Sequence, residues 1–190
     1  MKKIFCALLV GIILCGLVAC NTNNKTQETT KTEETTKTEE TTVEKVKYGT
    51  VTGEVTYKYN DYLGNRGDAG STVLLISKNV TSLPDNLAYG ITSNLPEGCY
   101  ATQASGSGQY TFNNVPTGEY VLIFISKNTT PNPSTVAGFY NWGITVYDMF
   151  SKEGQERASN YVRLRKIHNI DITVTEGQST YSHDFGLTYI

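Results

Sequence analysis

Six consecutive residues, Tyr120-Val121-Leu122-Ile123-Phe124-Ile125, restrict the fold more than any other feature, because they are apolar on both faces of a strand. Such a strand belongs in the interior of a packed sheet, with an apolar layer on each side. Other segments alternate. Thr50 to Lys58 places Val51, Val55 and Tyr57 on one side and Thr50, Thr52, Glu54, Thr56 and Lys58 on the other. Gln109 to Val115 alternates through Tyr110 and Phe112, while Thr72 to Ser77 and Tyr100 to Ala104 read as short strands. Asn169 to Thr175 and Tyr181 to Tyr189 read as a closing pair, joined by a hairpin turn at Glu176-Gly177-Gln178-Ser179. Short strands spaced by Gly-, Asn- and Pro-rich turns describe an all-β chain arranged as a β-sandwich.

The sandwich pattern begins at Tyr48, and residues 48–190 are close to the common size of one domain. What precedes it has a different character. Lys2 and Lys3 lead into an apolar run from Ile4 to Ala19, too short to span a bilayer and laid out like a secretory signal. The run ends in Leu17-Val18-Ala19-Cys20, which resembles the bacterial lipobox. That resemblance implies removal of residues 1–19 and diacylglyceryl attachment to Cys20. Two acyl chains give stable anchoring where one gives only reversible binding. Three of the four cysteines fall in the first twenty residues, so a chain starting at Cys20 keeps only Cys20 and Cys99 and, with Cys20 blocked, forms no internal disulfide.

Residues 20–47 read as a disordered tether. Lys25–Thr30, Lys31–Thr36 and Lys37–Thr42 are three copies of a hexamer (KTQETT, then KTEETT twice) with too little apolar area to offset chain entropy. A flexible segment of this length has an r.m.s. reach of roughly 30 Å and extends to about 90 Å. The net charge of −2 becomes −4 without Lys2 and Lys3, which gives no electrostatic case for nucleic acid.

One stretch is more specific. Gly108-Gln109-Tyr110-Thr111-Phe112 runs through Asn113 and Asn114 into Val115-Pro116-Thr117-Gly118-Glu119-Tyr120. Tyr110 and Phe112 point inward, and Pro116 with Gly118 makes a tight reversal. With Val51-Thr52-Gly53-Glu54-Val55 and Ser71-Thr72-Val73-Leu74-Leu75, this run resembles the carboxypeptidase regulatory-like domains. The resemblance implies a transthyretin-like Greek-key β-sandwich of about seven strands, here with a long aromatic-rich insertion; it does not fix a function. The Cna B-type domains share that architecture and cross-link a lysine to an asparagine or aspartate. Their proton-shuttling glutamate sits on the strand occupied here by Tyr120–Ile125, which has no acid, so Lys58 and Asp184 are not expected to form an isopeptide bond.

Two regions exceed a minimal sandwich, residues 78–98 and 129–166. The second carries Phe139-Tyr140-Asn141-Trp142-Gly143 and Tyr147-Asp148-Met149-Phe150. These aromatics either form a satellite core under the insertion, the reading the composition favours, or present stacking faces for a sugar. In the second case Tyr140, Trp142 and Tyr147 are the contact residues. Arg163-Leu164-Arg165-Lys166 reads as the wet face of a strand with Val162 and Leu164 inward, the alternative being contact with an acidic polymer or lipid headgroups.

No catalytic set is visible. His183 and Asp184 are neighbours and point to opposite faces of a strand, and His168 lies in no metal-binding spacing. Cys99 lacks an indicated base, and the Asn60-Asp61…Asn65…Asp68 loop departs from calcium-loop spacing. The chain is therefore expected to be a non-enzymatic surface lipoprotein on the extracytoplasmic face of the cell membrane, with no cofactor and no metal. Its sandwich would bind an envelope or extracellular polymer or a surface protein. The alternatives are an accessory subunit docked on an anchored enzyme or transporter and, last, a hydrolase with an unrecognised site.

Overall fold

The computed structural model describes residues 45–132 and 134–188. The expected signal peptide, Cys20 and all but residues 45–47 of the expected tether lie outside the described residues. The described residues belong to one compact unit.

That unit is mostly β, in two sheets. The strands are β1 (Tyr48–Asn60), β2 (Gly64–Gly67), β3 (Thr72–Ser77), β4 (Cys99–Gln103), β5 (Gln109–Pro116), β6 (Gly118–Ile125), β7 (Ile167–Val174), β8 (Gly177–Thr180) and β9 (His183–Leu187). One sheet is ordered β4-β3-β6-β7, antiparallel throughout. The other is built around β1, with β5 and β2 antiparallel to it and β8 and β9 parallel to it. The chain changes sheet between β2 and β3, β4 and β5, β5 and β6, and β7 and β8. This is the expected Greek-key sandwich, its strand tally raised above seven by the short β2 and by the splitting of one edge into β8 and β9.

The core between the sheets contains Val51 and Val55 of β1, Val73 and Leu75 of β3, Tyr110 and Phe112 of β5, Leu122 and Phe124 of β6, Ile172 of β7 and Phe185 of β9. The other face of the four-stranded sheet is also apolar. Leu74, Ile76, Val121, Ile123 and Ile125 pack against three short helices, α1 (Gly138–Trp142), α2 (Ile144–Asp148) and α3 (Lys152–Tyr161), and a 3-10 turn at Asp85–Tyr89. That third layer explains why β3 and β6 are apolar at successive positions: each is buried on both sides. The helices are too short to be stable alone and hold through this packing. Ser151 fastens the layer, its Oγ accepting the Gly154 amide at 3.2 Å and donating to Asp85 Oδ2 at 2.6 Å.

The closing segments differ from the sequence expectation. No hairpin joins Asn169–Thr175 to Tyr181–Tyr189. β7 pairs with β6, whereas β8 and β9 cross to the other sheet and run parallel to β1. The crossing covers an edge of the longest strand, which would otherwise expose unpaired backbone groups, and it buries Phe185. Gly53 permits the approach. A Cβ there would lie 1.6 Å from the Tyr181 carbonyl oxygen, the point where β8 gives way to β9.

Arg163–Lys166 is not a strand either. The amides of Arg163, Leu164 and Arg165 donate to the carbonyls of Asn160 and Tyr161, so the segment is the turn that closes α3. Val162 faces inward as expected, but Leu164 is exposed. Two of the cations bind main chain: Arg165 Nη1 donates to the Lys127 carbonyl, and Lys166 Nζ to those of Phe185 and Leu187.

The polar residues of the β1–β2 region are also engaged individually. Asp61 pairs with Lys58 at 2.5 Å, and Asn65 Nδ2 donates to Asp184 Oδ2 at 2.6 Å. Asp68 is fully buried and accepts from Ser126 Oγ (2.5 Å), the Asn128 amide (3.1 Å) and Asn128 Nδ2 (2.7 Å). It is a clasp between the β2–β3 connection and the segment that follows β6. Among the described residues no three His, Cys, Asp or Glu side chains are placed to hold one metal ion.

Candidate functional site

The three aromatic candidates of the insertion are placed differently. Trp142 is completely buried, edge-on to Phe150 with ring centroids 5.6 Å apart, and its indole Nε1 has no partner among the described residues. It is a core residue. The expectation that it contacts a ligand is corrected, because its ring presents no face to solvent. Tyr147 is half-buried and held by its hydroxyl, 2.9 Å from Ser159 Oγ and 3.2 Å from the Gln155 carbonyl. Its ring lies edge-on to Phe139 at 6.3 Å, and it lines a separate open cleft with Lys152, Gln155, Glu156, Ser159 and Asn160, apart from Tyr140. Tyr140 alone of the three projects outward, 66% exposed, with its ring 4.1 Å from that of Phe139. Trp142, Met149 and Phe150 thus form a satellite core, while Tyr140 stands at the surface.

Tyr140 forms one wall of a cleft of about 360 Å³, lined also by Val121, Gly143, Ile144, Thr145, Asn169 and Asp171. The cleft lies where the helical layer stops on the outer face of the four-stranded sheet. Beneath the helices that face is apolar. Beyond them it is polar, with Lys78 paired to Asp171 at 3.2 Å and Thr173 Oγ1 donating to Glu119 Oε1 at 2.7 Å. The corner is rigid for a local reason. Asn169 Nδ2 donates to the carbonyls of Tyr140 (2.7 Å) and Asn141 (3.0 Å), pinning α1 to β7. Gly143, at φ +83°, leaves room for the Asn169 side chain, since a Cβ there would meet Oδ1 at 2.8 Å. An aromatic wall, an apolar floor at Val121 and amide, hydroxyl and carboxylate groups on the far side suit a ligand with one apolar face and polar edges. The cleft's single charged group, Asp171, is neutralised by Lys78.

Sequence reasoning missed Phe139, Asn169 and Asp171. The last two sit at alternate positions of β7 on the helix-covered side, but only the pairing with β6 reveals which side that is.

A second polar cluster lies between the sheets at their other margin. His183 of β9 and His168 of β7 stack with centroids 3.9 Å apart, and Phe124 lies parallel to both. Burial lowers both imidazoles; for His183 the neighbouring His168 and Lys166 add to it against the opposing pull of Asp184, and its pKa falls to about 4. The pair is neutral at physiological pH. His183 and Asp184 do not act together: Asp184 accepts from Asn65 and from the Gly186 amide. Cys99 is half-buried, and burial pushes its thiol up to about 11, the opposite of what a nucleophile needs.

No family model matches the chain, and no curated protein matches it. Among solved structures, it is similar to a candidate carbohydrate binding protein from Pseudomonas aeruginosa, with 10% identity over 73% of this chain and 89% of that one and a TM-score of 0.39. It is similar to GBS52, the minor pilin of Streptococcus agalactiae, with 13% identity over 76% of this chain and 47% of that one, at 0.38. It is also similar to the 5-hydroxyisourate hydrolase of Klebsiella pneumoniae, with 13% identity over 75% of this chain and 93% of that one, at 0.33. One is a pilus component and another an enzyme, so likeness of this degree says nothing of what this chain does.

Proposed function

We propose that this chain is a lipid-anchored surface protein of a bacterial cell membrane, attached through Cys20, whose sandwich is a non-enzymatic module that binds a neutral polysaccharide at the Tyr140 cleft. The observation that carries the binding reading is the exposed Tyr140–Phe139 ring pair beside Asn169, Thr145 and the neutralised Asp171. A pyranose ring lays its C–H face on an aromatic plane while its hydroxyls reach the amide and carboxylate. The absence of an unpaired cation among the lining residues favours a neutral glycan over an acidic one. Anchoring is supported by the basic start, the apolar run and the Leu17-Val18-Ala19-Cys20 ending. The hexamer repeats then serve as a spacer that carries the sandwich away from the bilayer.

Two measurements test the two halves. Titration calorimetry of residues 43–190 with neutral cell-wall and capsular glycans should show saturable binding that Tyr140→Ala reduces at least tenfold. Equal binding by that variant removes the site. For the anchor, the full chain expressed in a bacterium should partition to membranes, and Cys20→Ala should release it; a membrane-bound Cys20→Ala protein removes the lipid anchor.

A further inference from the structure

The two ends of β1 carry complementary features that the binding reading leaves unused. At its last residues the β1–β2 hairpin projects an apolar tip. Tyr62 is 93% exposed, and Tyr59 and Leu63 are about half exposed beside it. The tip is not a loose loop. Asn60 Oδ1 accepts the amides of Tyr62 (3.0 Å) and Leu63 (2.6 Å), and Lys58 closes onto Asp61. Arg66, paired across the hairpin with Tyr57, lays its guanidinium 4.4 Å over the Tyr59 ring and has no carboxylate partner among the described residues. Contiguous aromatic and aliphatic groups with one stacked arginine are the composition of a protein contact, not of a solvated turn.

At the first residues of β1, where Tyr48 pairs with Pro116, lies a cleft of about 520 Å³ between the 78–98 region and the β5–β6 turn. Its walls include Val80, Pro96, Tyr100, Pro116 and Thr117, and its single charged lining residue is Glu97. Glu97 likewise has no ion-pair partner among the described residues. Thirteen strand residues, about 40 Å at the usual rise, separate tip from cleft, so a copy cannot fill its own cleft.

We propose that the occupant of this cleft is the hairpin tip of a second copy of the chain, with Tyr62 and Leu63 entering between Tyr100 and Pro96 and Arg66 pairing with Glu97. The tip is convex and cationic, and the cleft is concave and anionic. Because the two patches differ and lie at opposite ends, the contact is head-to-tail and does not close; it generates rows of copies. One tip in one cleft buries less than a standard stable interface, so the association is weak in solution and is favoured by crowding on a surface.

Sedimentation velocity on residues 43–190, which form one compact unit, tests this from about 10 µM to about 1 mM. The weight-average sedimentation coefficient should rise with concentration without levelling at a dimer. Arg66→Glu, Glu97→Arg and Tyr62→Ala should each weaken association at least tenfold, with thermal melts unchanged because all three side chains are exposed. An equimolar mixture of the Arg66→Glu and Glu97→Arg proteins should recover the parental behaviour, since every tip then finds an opposite charge in the other protein's cleft. A parent that stays monomeric, association that stops at a dimer, single variants that associate like the parent, or a mixture that fails to recover would each overturn the proposal.

Discussion

His168 and His183, one from each sheet, stack at 3.9 Å between Phe124 and the polar margin of the sandwich. Lys166, whose ammonium is bound to the carbonyls of Phe185 and Leu187, faces the same margin, with Asp184 the one acid against it. In the unfolded chain both imidazoles titrate near 6.5. In the folded chain both are lowered, His183 to about 4. Between those values the unfolded state holds protons that the folded state does not, so stability falls as pH falls. Thermal melts should therefore show a midpoint that is flat above pH 7 and declines from about pH 6.5 toward pH 4. His183→Gln should reduce the slope of that decline, and an unchanged slope would show that the pair does not govern it.

Tyr110 Oη donates to the Tyr181 carbonyl at 2.6 Å, at the point where the β8–β9 edge passes over Gly53. Tyr110→Phe removes this part-buried hydrogen bond and should cost about 0.5–1.5 kcal/mol in urea unfolding. Gly53→Ala should cost more, because the added carbon would overlap a backbone oxygen that is fixed from both sides.

Trp142 and Tyr140 are two residues apart and should behave oppositely. Trp142→Ala empties a fully buried site and should lower stability by about 3–5 kcal/mol. Tyr140→Ala removes an exposed ring and should stay within about 0.5 kcal/mol of the parent. Chemical denaturation of the two proteins side by side separates a packing role from a surface role before any ligand is added.

The Asp68 clasp makes a further prediction. Its carboxylate receives three hydrogen bonds from Ser126 and Asn128 while fully buried. Asp68→Ala should destabilise by on the order of 1–3 kcal/mol, chiefly because the buried Ser126 hydroxyl is left without its acceptor, while water can reach the exposed Asn128. Ser126→Ala removes one of those donors and also the acceptor of the buried Thr129 amide (3.0 Å) and hydroxyl (2.6 Å), so it should cost about as much. Parental stability in either variant would mean that the clasp does not hold these segments together.

The strands were legible where a single local rule governs them. Thr72–Ser77 stands where the sequence puts it, and Tyr120–Ile125 lies within β6, because burial on both faces demands an unbroken apolar run. β1 and β5 were legible because one buried face enforces a period of two. The helices of 138–161 were not, since two of them span only five residues and none carries a long amphipathic stripe. The destination of β8 and β9 was hidden for another reason. Glu176–Ser179 is good turn chemistry whether the chain folds back on β7 or crosses the sandwich, and the choice depends on which edge lacks a partner.

The same division separates the candidate site residues. Aromatic content around residue 140 was plain in the sequence, but Phe139, Tyr140, Trp142 and Tyr147 differ only in the direction each faces once α1 and α2 dock on the sheet. By itself the sequence determined the all-β class, the interior strands and the onset of the sandwich near Tyr48, because hydrophobic period and turn chemistry act over a few neighbouring residues. Only the tertiary structure decided that Trp142 belongs to the core, that Tyr140 forms a wall against Asn169 and Asp171, and that the two histidines meet. Those outcomes are set by contacts between segments remote in sequence, and no local pattern encodes which remote partner a side chain will face.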